Sequence, residues 1–324
     1  MGVGLAEPVD DWEHAKPTNP GLLEGLEREL ITHDYDLKHI ARLILNSRAY
    51  HVATRGSRVE ATSDEREADV KRRSDTGEPP VSTARRLTAE QLIDSLFVAA
   101  GKSFNVEELN IDVDGARKQD VSISLGHARR AWQFTSMSNE RDRPALTLPA
   151  AQTIVDLLEA FGWRASRPDP ITHRSRETTV LQPATLANGV VAKRISQLSD
   201  DSAFTELALQ AKSPEEFVNA VTQRILTRPP TKSELALFEP LLRDGFEKRI
   251  VPGSPPIRRP GPPRSTGVSW SNHLKPEASL RKQRLAEELA HGDPTTSRLN
   301  ADWRERAEDV IWSLINSPEF LIVP

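Results

Sequence analysis

The densest chemistry in this sequence lies between Gly162 and Asn188. Arg164, Arg167, Arg174 and Arg176 stand close together there, with Asp169, His173, Glu177, Gln182 and Asn188 among them. A guanidinium offers a planar fork of donors that fits a carboxylate or phosphate bidentately, so arginines grouped this way can build an anion site. Asp169 and Glu177 can instead neutralise two of them internally. His173 and Glu177 have the side chains for acid–base work, provided the fold brings them together. Three readings stand side by side: an internal structural network, a surface for a ligand or partner, and a catalytic pair.

Other patterns carry less. Asn110-x-Asp112-x-Asp114-Gly115 matches the first half of a calcium loop. The match then fails, because Lys118 and Val121 stand at the later ligand positions, and a polar turn is the expectation. The chain has eight histidines. No two share the H-x-x-x-H spacing that sets two ligands on one helical face. His33 and His39 straddle a helix start, so spacing predicts no metal site. There are no cysteines, which excludes disulfides, thiolate metal sites and thiol nucleophiles within the chain. The G-x-S-x-G, G-x-x-x-x-G-K-[ST] and G-x-G-x-x-G signatures are absent. Lys71-Arg72-Arg73 and Arg258-Arg259 lie in polar stretches without interleaved aromatics. With a net charge of -4, the chain has no field drawing it to nucleic acid or anionic lipid. No apolar run reaches the roughly 18 residues of a membrane-spanning helix. Met1 to Asp10 lacks the basic and apolar regions of a signal peptide. No cofactor is expected in this chain.

Helices must position these groups. Asn19-Pro20 is a cap and first-turn pair, followed by the apolar face Leu22, Leu23, Leu26 and Leu30. Leu37, Ile40, Ala41 and Ile44 repeat at helical spacing. The short link between them predicts an antiparallel helical hairpin. Thr88 to Gln91 is a capping box opening a helix over Ile93, Leu96, Phe97 and Ala100, and Gly101 ends it. Leu109, Ile111 and Val113, then Val121, Ile123 and Leu125, alternate as in a small β-hairpin. A helix over Ile154, Leu157, Leu158 and Phe161 closes at Gly162. Leu186 to Leu198 reads as one helix despite Gly189. Ser213-Pro214-Glu215-Glu216 opens a helix, and Thr231 to Glu234 opens another, which Pro240 is expected to kink. Residues 251–275 read as a linker unable to bury itself, Glu277 to Ala290 as a polar helix, and Ala307 to Ile315 as the last helix. Leu45-Asn46-Ser47 and Ile315-Asn316-Ser317 echo each other as helix ends, with Asn expected in the left-handed position.

Several of these segments together resemble a known family. They include Pro17-Thr18-Asn19-Pro20 with Leu22-Leu23, and Asp36-Leu37-Lys38-x-Ile40-x-Arg42-Leu43-Ile44-x-Asn46-Ser47-x-x-Tyr50. Arg85-Arg86-Leu87-Thr88-Ala89-Glu90-Gln91-Leu92-x-Asp94-Ser95 and Arg174-x-Arg176-Glu177-Thr178-Thr179-x-x-Gln182 follow. Next come Arg228-Pro229-Pro230-Thr231-x-x-Glu234-Leu235 and Asp309-Val310-Ile311-Trp312-x-Leu314-Ile315-Asn316-Ser317-Pro318-Glu319-Phe320. The chain is similar to the planctomycete-type C-terminal domain of unknown function 1553. The resemblance implies the end of a large exported, periplasmic or cell-surface protein whose upstream part carries a cytochrome-like haem segment. It implies no catalytic residue, because none is established for such domains. The entry segment at Gly4 lacks the helix expected before it, as in an N-terminally truncated copy, and part of the first hairpin should be left exposed.

The expected fold is mostly α: one irregular helical domain with a small β-hairpin and two long polar loops, at 52–82 and 251–298. The expected function is a binding or structural module of an envelope-associated multidomain protein, with a protein or glycan partner. Its candidate residues are Arg164, Arg167, His173, Arg174, Arg176, Glu177, Gln182 and Asn188. The alternatives are a hydrolytic or haem-linked enzyme using residues 164–188, and a truncated remnant.

Overall fold

A computed structural model describes residues 17, 19–47, 85–111, 123–136, 148–163, 178–257, 268 and 272–323. The fold is mostly α-helical, as expected, with twelve α-helices among the described residues and short antiparallel strand pairs. Contacts divide the chain into two compact units, Met1–Arg86 with Ile322–Pro324, and Leu87–Leu321.

The first unit holds the expected helical hairpin. Helix α1 (Pro20–Thr32) is capped by Asn19, whose Oδ1 accepts from the Leu22 N–H at 3.0 Å. Helix α2 (Leu37–Leu45) is capped by Asp36, which accepts from the Lys38 N–H at 2.8 Å. Asp34 and Tyr35 join them with φ of 51° and 61°, a left-handed pair that non-glycine residues adopt only under constraint. The Tyr35 N–H closes the end of α1 on the Leu30 carbonyl at 2.8 Å. Neither helix contains a buried residue. Only Leu26, Leu30 and Ile40 of the apolar stripes reach half-burial. Strand β1 (Arg85–Arg86) pairs antiparallel with the C-terminal strand (Ile322–Val323) in the same unit.

The second unit holds the hydrophobic core. Helix α3 (Ala89–Ala100) opens with the Thr88–Gln91 capping box, formed in both directions. It ends at Gly101 with φ 68°. A Cβ at Gly101 would sit 2.8 Å from the Ala203 Cβ, so both the backbone and the close approach call for glycine. Strands β2 (Glu108–Ile111) and β3 (Ile123–His127) form the expected β-hairpin, with a bulge between Leu109 and Asn110. Most of the calcium-loop pattern falls outside the described residues.

Helix α4 (Ala131–Ser136), α5 (Pro149–Ala160), α7 (Val190–Ser196), α8 (Ala203–Gln210) and α9 (Pro214–Leu226) all pack on α3. Leu92, Ile93, Leu96, Ile154, Ile195 and Val221 are wholly enclosed there. Helices α10 (Lys232–Arg243) and α11 (Pro276–Ala290) follow, and α12 (Ala301–Ile315) packs on α7, α9 and α10. Trp303 of α12 is buried against Phe217 and Phe246 and donates its indole N–H to the Leu242 carbonyl at 2.9 Å.

Three expectations change. The single helix over Leu186 to Leu198 is two, α6 (Leu181–Asn188) and α7, broken at Gly189 with φ -72° and ψ 156°. The Gly189 N–H still reaches the Thr185 carbonyl at 2.9 Å. A Cβ there would meet that oxygen at 2.3 Å, so the break is built on the missing side chain. In the segment read as a linker unable to bury itself, 251–275, the described residue Val268 is buried, and the expected polar helix follows it as α11. Asp293 and Thr296 are buried too, and the Thr296 N–H donates to the Leu198 carbonyl at 2.7 Å. Asp200 gathers the segment by accepting from the Ile257 N–H, the Thr296 hydroxyl and the Arg298 guanidinium. Charged and polar groups, which composition reads as solvated, serve here as the anchors. Finally, Asn46 and Asn316 share a helix-end geometry, but with φ of -89° and -92° rather than the left-handed form. The helix of Pro240 runs on through it to Arg243.

Candidate functional site

Of the residues singled out by sequence, Arg164, Arg167, His173, Arg174, Arg176 and Glu177 lie outside the described residues. Gln182 and Asn188 are both on α6. Gln182 is buried, whereas Asn188 is exposed and donates to the Ala184 carbonyl one turn back at 3.2 Å. The helix therefore does not bring these two to one surface.

The strongest electrostatics are elsewhere. The side chains of Lys102, Arg194 and Asp293 are all fully enclosed. Asp293 accepts from the Lys102 ammonium and from the Arg194 Nε, each at 3.3 Å. Burial pushes the Lys102 pKa below its ordinary value, and Asp293 opposes the shift. A lysine lowered this way is a candidate base or nucleophile. Here its three donors are spent on Asp293 and on the carbonyls of Arg194 and Gln197, the latter at 2.9 Å. With no free lone pair and no exposure, Lys102 works as a clamp on the C-terminal end of α7, where carbonyls lack helical partners.

The same device recurs. Arg249 is buried over the Phe246 ring, 3.7 Å from its centroid, and donates to the carbonyls of Ala208, Leu209 and Ala211 at the end of α8. Burial lowers its pKa. Arg224 donates to the Ala99 and Val98 carbonyls at the end of α3. Acids do the converse work at N-termini. Glu107 accepts from the Ala150 and Ala151 N–H groups at 2.9 and 2.8 Å, replacing the cap that Leu148 cannot supply. Burial raises the Glu107 pKa against these bonds. Asp94 accepts from the Ala131 N–H at the start of α4 at 2.9 Å.

Arg228 joins two segments distant in sequence. It forks onto Glu234 with two bonds of 2.9 Å and onto Glu319 with bonds of 2.7 and 2.5 Å. Glu234 also completes the capping box with Thr231. The Arg228 bonds hold the Glu234 carboxyl down at about 2, against the smaller upward push of burial. Across Asn19, Asp36, Thr88, Gln91, Asp94, Arg228, Thr231, Glu234 and Glu319, the polar motif residues thus serve helix ends and one ion-pair clasp.

One further group is brought together by the first hairpin. Glu29 of α1 and His33, four residues on at the C-cap of that helix, meet His39 of α2. Glu29 Oε2 lies 3.4 Å from His33 Nδ1 and 3.0 Å from His39 Nε2. The two imidazoles stack with centroids 3.7 Å apart and planes 15° from parallel. Spacing of histidines alone misses this set, because one partner is a glutamate and the approach is made by the turn. The readable signal was Glu29 and His33 at i and i+4, facing back across a short hairpin.

These features define a helical protein whose buried charges and capping groups fasten helices to one another. Residues 1–242 match the family described as "Protein of unknown function (DUF1553)". The chain belongs to that family. The Asp309–Phe320 motif lies beyond the matched residues. No curated protein and no solved structure matches the chain.

Proposed function

We propose that the protein is a binding module that docks a partner protein on its α1–α2 hairpin. The observation that carries this reading is the exposure of that hairpin's apolar side chains. Leu37 is 73% exposed, and Leu22, Leu23, Ile31, Leu43, Ile44 and Leu45 are exposed along the same two helices. Apolar exposure concentrated on one short hairpin is the kind that marks protein interaction sites. The exposed set is mainly aliphatic, which favours a protein over a glycan, since sugars are held by aromatic faces and planar polar groups. The roles found for the polar motif residues support a scaffold rather than a catalyst. The setting proposed with this reading is the one the sequence resemblance implies, an exported multidomain protein of the cell envelope.

A photo-crosslinking amino acid tests the reading. Placed at Ala41, among the exposed apolar residues of α2, it should give one discrete protein adduct in cells. Placed at Glu24, on the polar side of α1, it should not. The same adducts from both positions, or none from either, would refute the proposal.

A further inference from the structure

We infer that Glu29, His33 and His39 form a binding site for a divalent transition-metal ion of the zinc class. Among the described residues, these three ligand atoms converge within 4.8 Å of one another. A tetrahedral ion holds nitrogen and oxygen ligands at about 2.0–2.1 Å, which sets neighbouring ligands roughly 3.3 Å apart. The Glu29–His33 and Glu29–His39 separations of 3.4 and 3.0 Å already lie close to that edge length. The two imidazoles now stack within 15° of parallel, so coordination requires one ring to turn out of the stack while its nitrogen stays near Glu29, which brings both in-plane lone pairs onto one ion.

The donor set selects the ion. Two imidazoles and one carboxylate suit zinc and its first-row neighbours, whereas calcium and magnesium take oxygen ligands. The site is reachable without opening a core, because the side chains are 45%, 45% and 25% exposed for Glu29, His33 and His39. Water completes the coordination. His33 Nδ1 also faces its neighbouring carbonyl, that of Glu29, at 2.9 Å. To hold an ion, Nδ1 gives up that contact and the ring carries its proton on Nε2.

The fold gives the site a purpose. Glu29 and the C-cap residue His33 come from the end of α1 and His39 from α2, across the left-handed pair Asp34 and Tyr35. An ion at this point ties together two helices that bury nothing of their own. Its binding free energy then becomes hairpin stability. This inference does not rest on the docking proposal, since ion binding is read on the isolated chain.

The test uses the full chain freed of metal by a chelator and titrated with zinc chloride by calorimetry. Cobalt chloride serves in parallel, for its visible bands in tetrahedral coordination. One equivalent should bind, with protection of the hairpin amides from hydrogen exchange. His39→Ala and the isosteric Glu29→Gln should each weaken zinc binding about tenfold or more, while His291→Ala, far along the chain, should leave it unchanged. Helix content by circular dichroism checks that each variant is folded, and Glu29→Gln covers the case in which His39→Ala disturbs the hairpin. Zinc binding that is absent in the wild type, or equal in the wild type and Glu29→Gln, overturns the inference.

Discussion

Helices α1 and α3 have 13 and 12 residues, and each starts at a side-chain cap. Yet α1 buries no residue, while α3 buries Ala89, Leu92, Ile93, Leu96, Phe97, Ala99 and Ala100. Local sequence does not make that difference, since both carry an apolar stripe. The difference is in company. Helix α3 is packed on by five other helices, so its stripe meets apolar surface all round. In the hairpin, α1 and α2 pack on each other, and two stripes laid side by side leave an open flank. Most helical stability comes from such packing rather than from propensity. Among the described residues the hairpin is therefore held by its caps, its turn and its Glu–His contacts, and most of its apolar side chains stay exposed.

The comparison breaks most easily at the enclosed charges of the second unit. Asp293→Ala removes the carboxylate that both Lys102 and Arg194 contact. Taking one partner from a buried ion cluster costs about 3–5 kcal/mol, so guanidinium unfolding should show a loss of that order. A triple change to Lys102→Met, Arg194→Met and Asp293→Leu should recover much of it, because apolar replacement of a whole cluster is often neutral. A loss below about 1 kcal/mol for the single change would show that these charges are not what fastens the α7 end to the segment after α11.

That cluster also marks where sequence reading stops. The caps at Asn19, Thr88, Ser213 and Thr231, the stop at Gly101 and the β-hairpin were all legible, because each is decided by local pattern. The Lys102–Asp293 and Arg228–Glu319 contacts were not, since nothing local pairs residues so far apart. Gly189 reads as a tolerated helix glycine until the Thr185 carbonyl is seen where its Cβ would go. Composition likewise gave no sign that Thr296 and Arg298, polar residues that look solvated, hold their segment to Asp200. Most of the arginine-rich candidate site lies outside the described residues, and the Glu29–His33–His39 group needed the turn at Asp34 and Tyr35 to become visible.

A smaller effect is expected at the Arg228 clasp. The Glu234 carboxyl is held at about 2 in the fold and returns to about 4.3 in the unfolded chain. A carboxyl lowered by folding contributes stability in full above its unfolded value, and loses it as pH falls toward the folded one. Glu234→Gln keeps the capping box and removes the charge. Wild type should therefore exceed the variant by about 1 kcal/mol at neutral pH, with the gap closing between about pH 5 and pH 2. A gap that persists at pH 2 would assign the difference to packing instead of charge.

The smallest effect on stability sharpens the comparison most. Leu37→Ser changes a leucine as apolar as Leu96, but one that is 73% exposed. Substitutions at such sites usually fall within about 0.5 kcal/mol, whereas truncating an enclosed leucine such as Leu96 to Ala costs about 2–5 kcal/mol. Leu37→Ser should thus leave the unfolding transition where it is and yet abolish the adduct captured from Ala41. Stability measured by denaturation and capture measured by crosslinking then separate, one belonging to the enclosed helices and the other to the open hairpin. If Leu37→Ser lowered stability as much as Leu96→Ala, the flank would be part of a core and not a docking face. If the adduct survived the change, its contact would have to lie off the apolar flank.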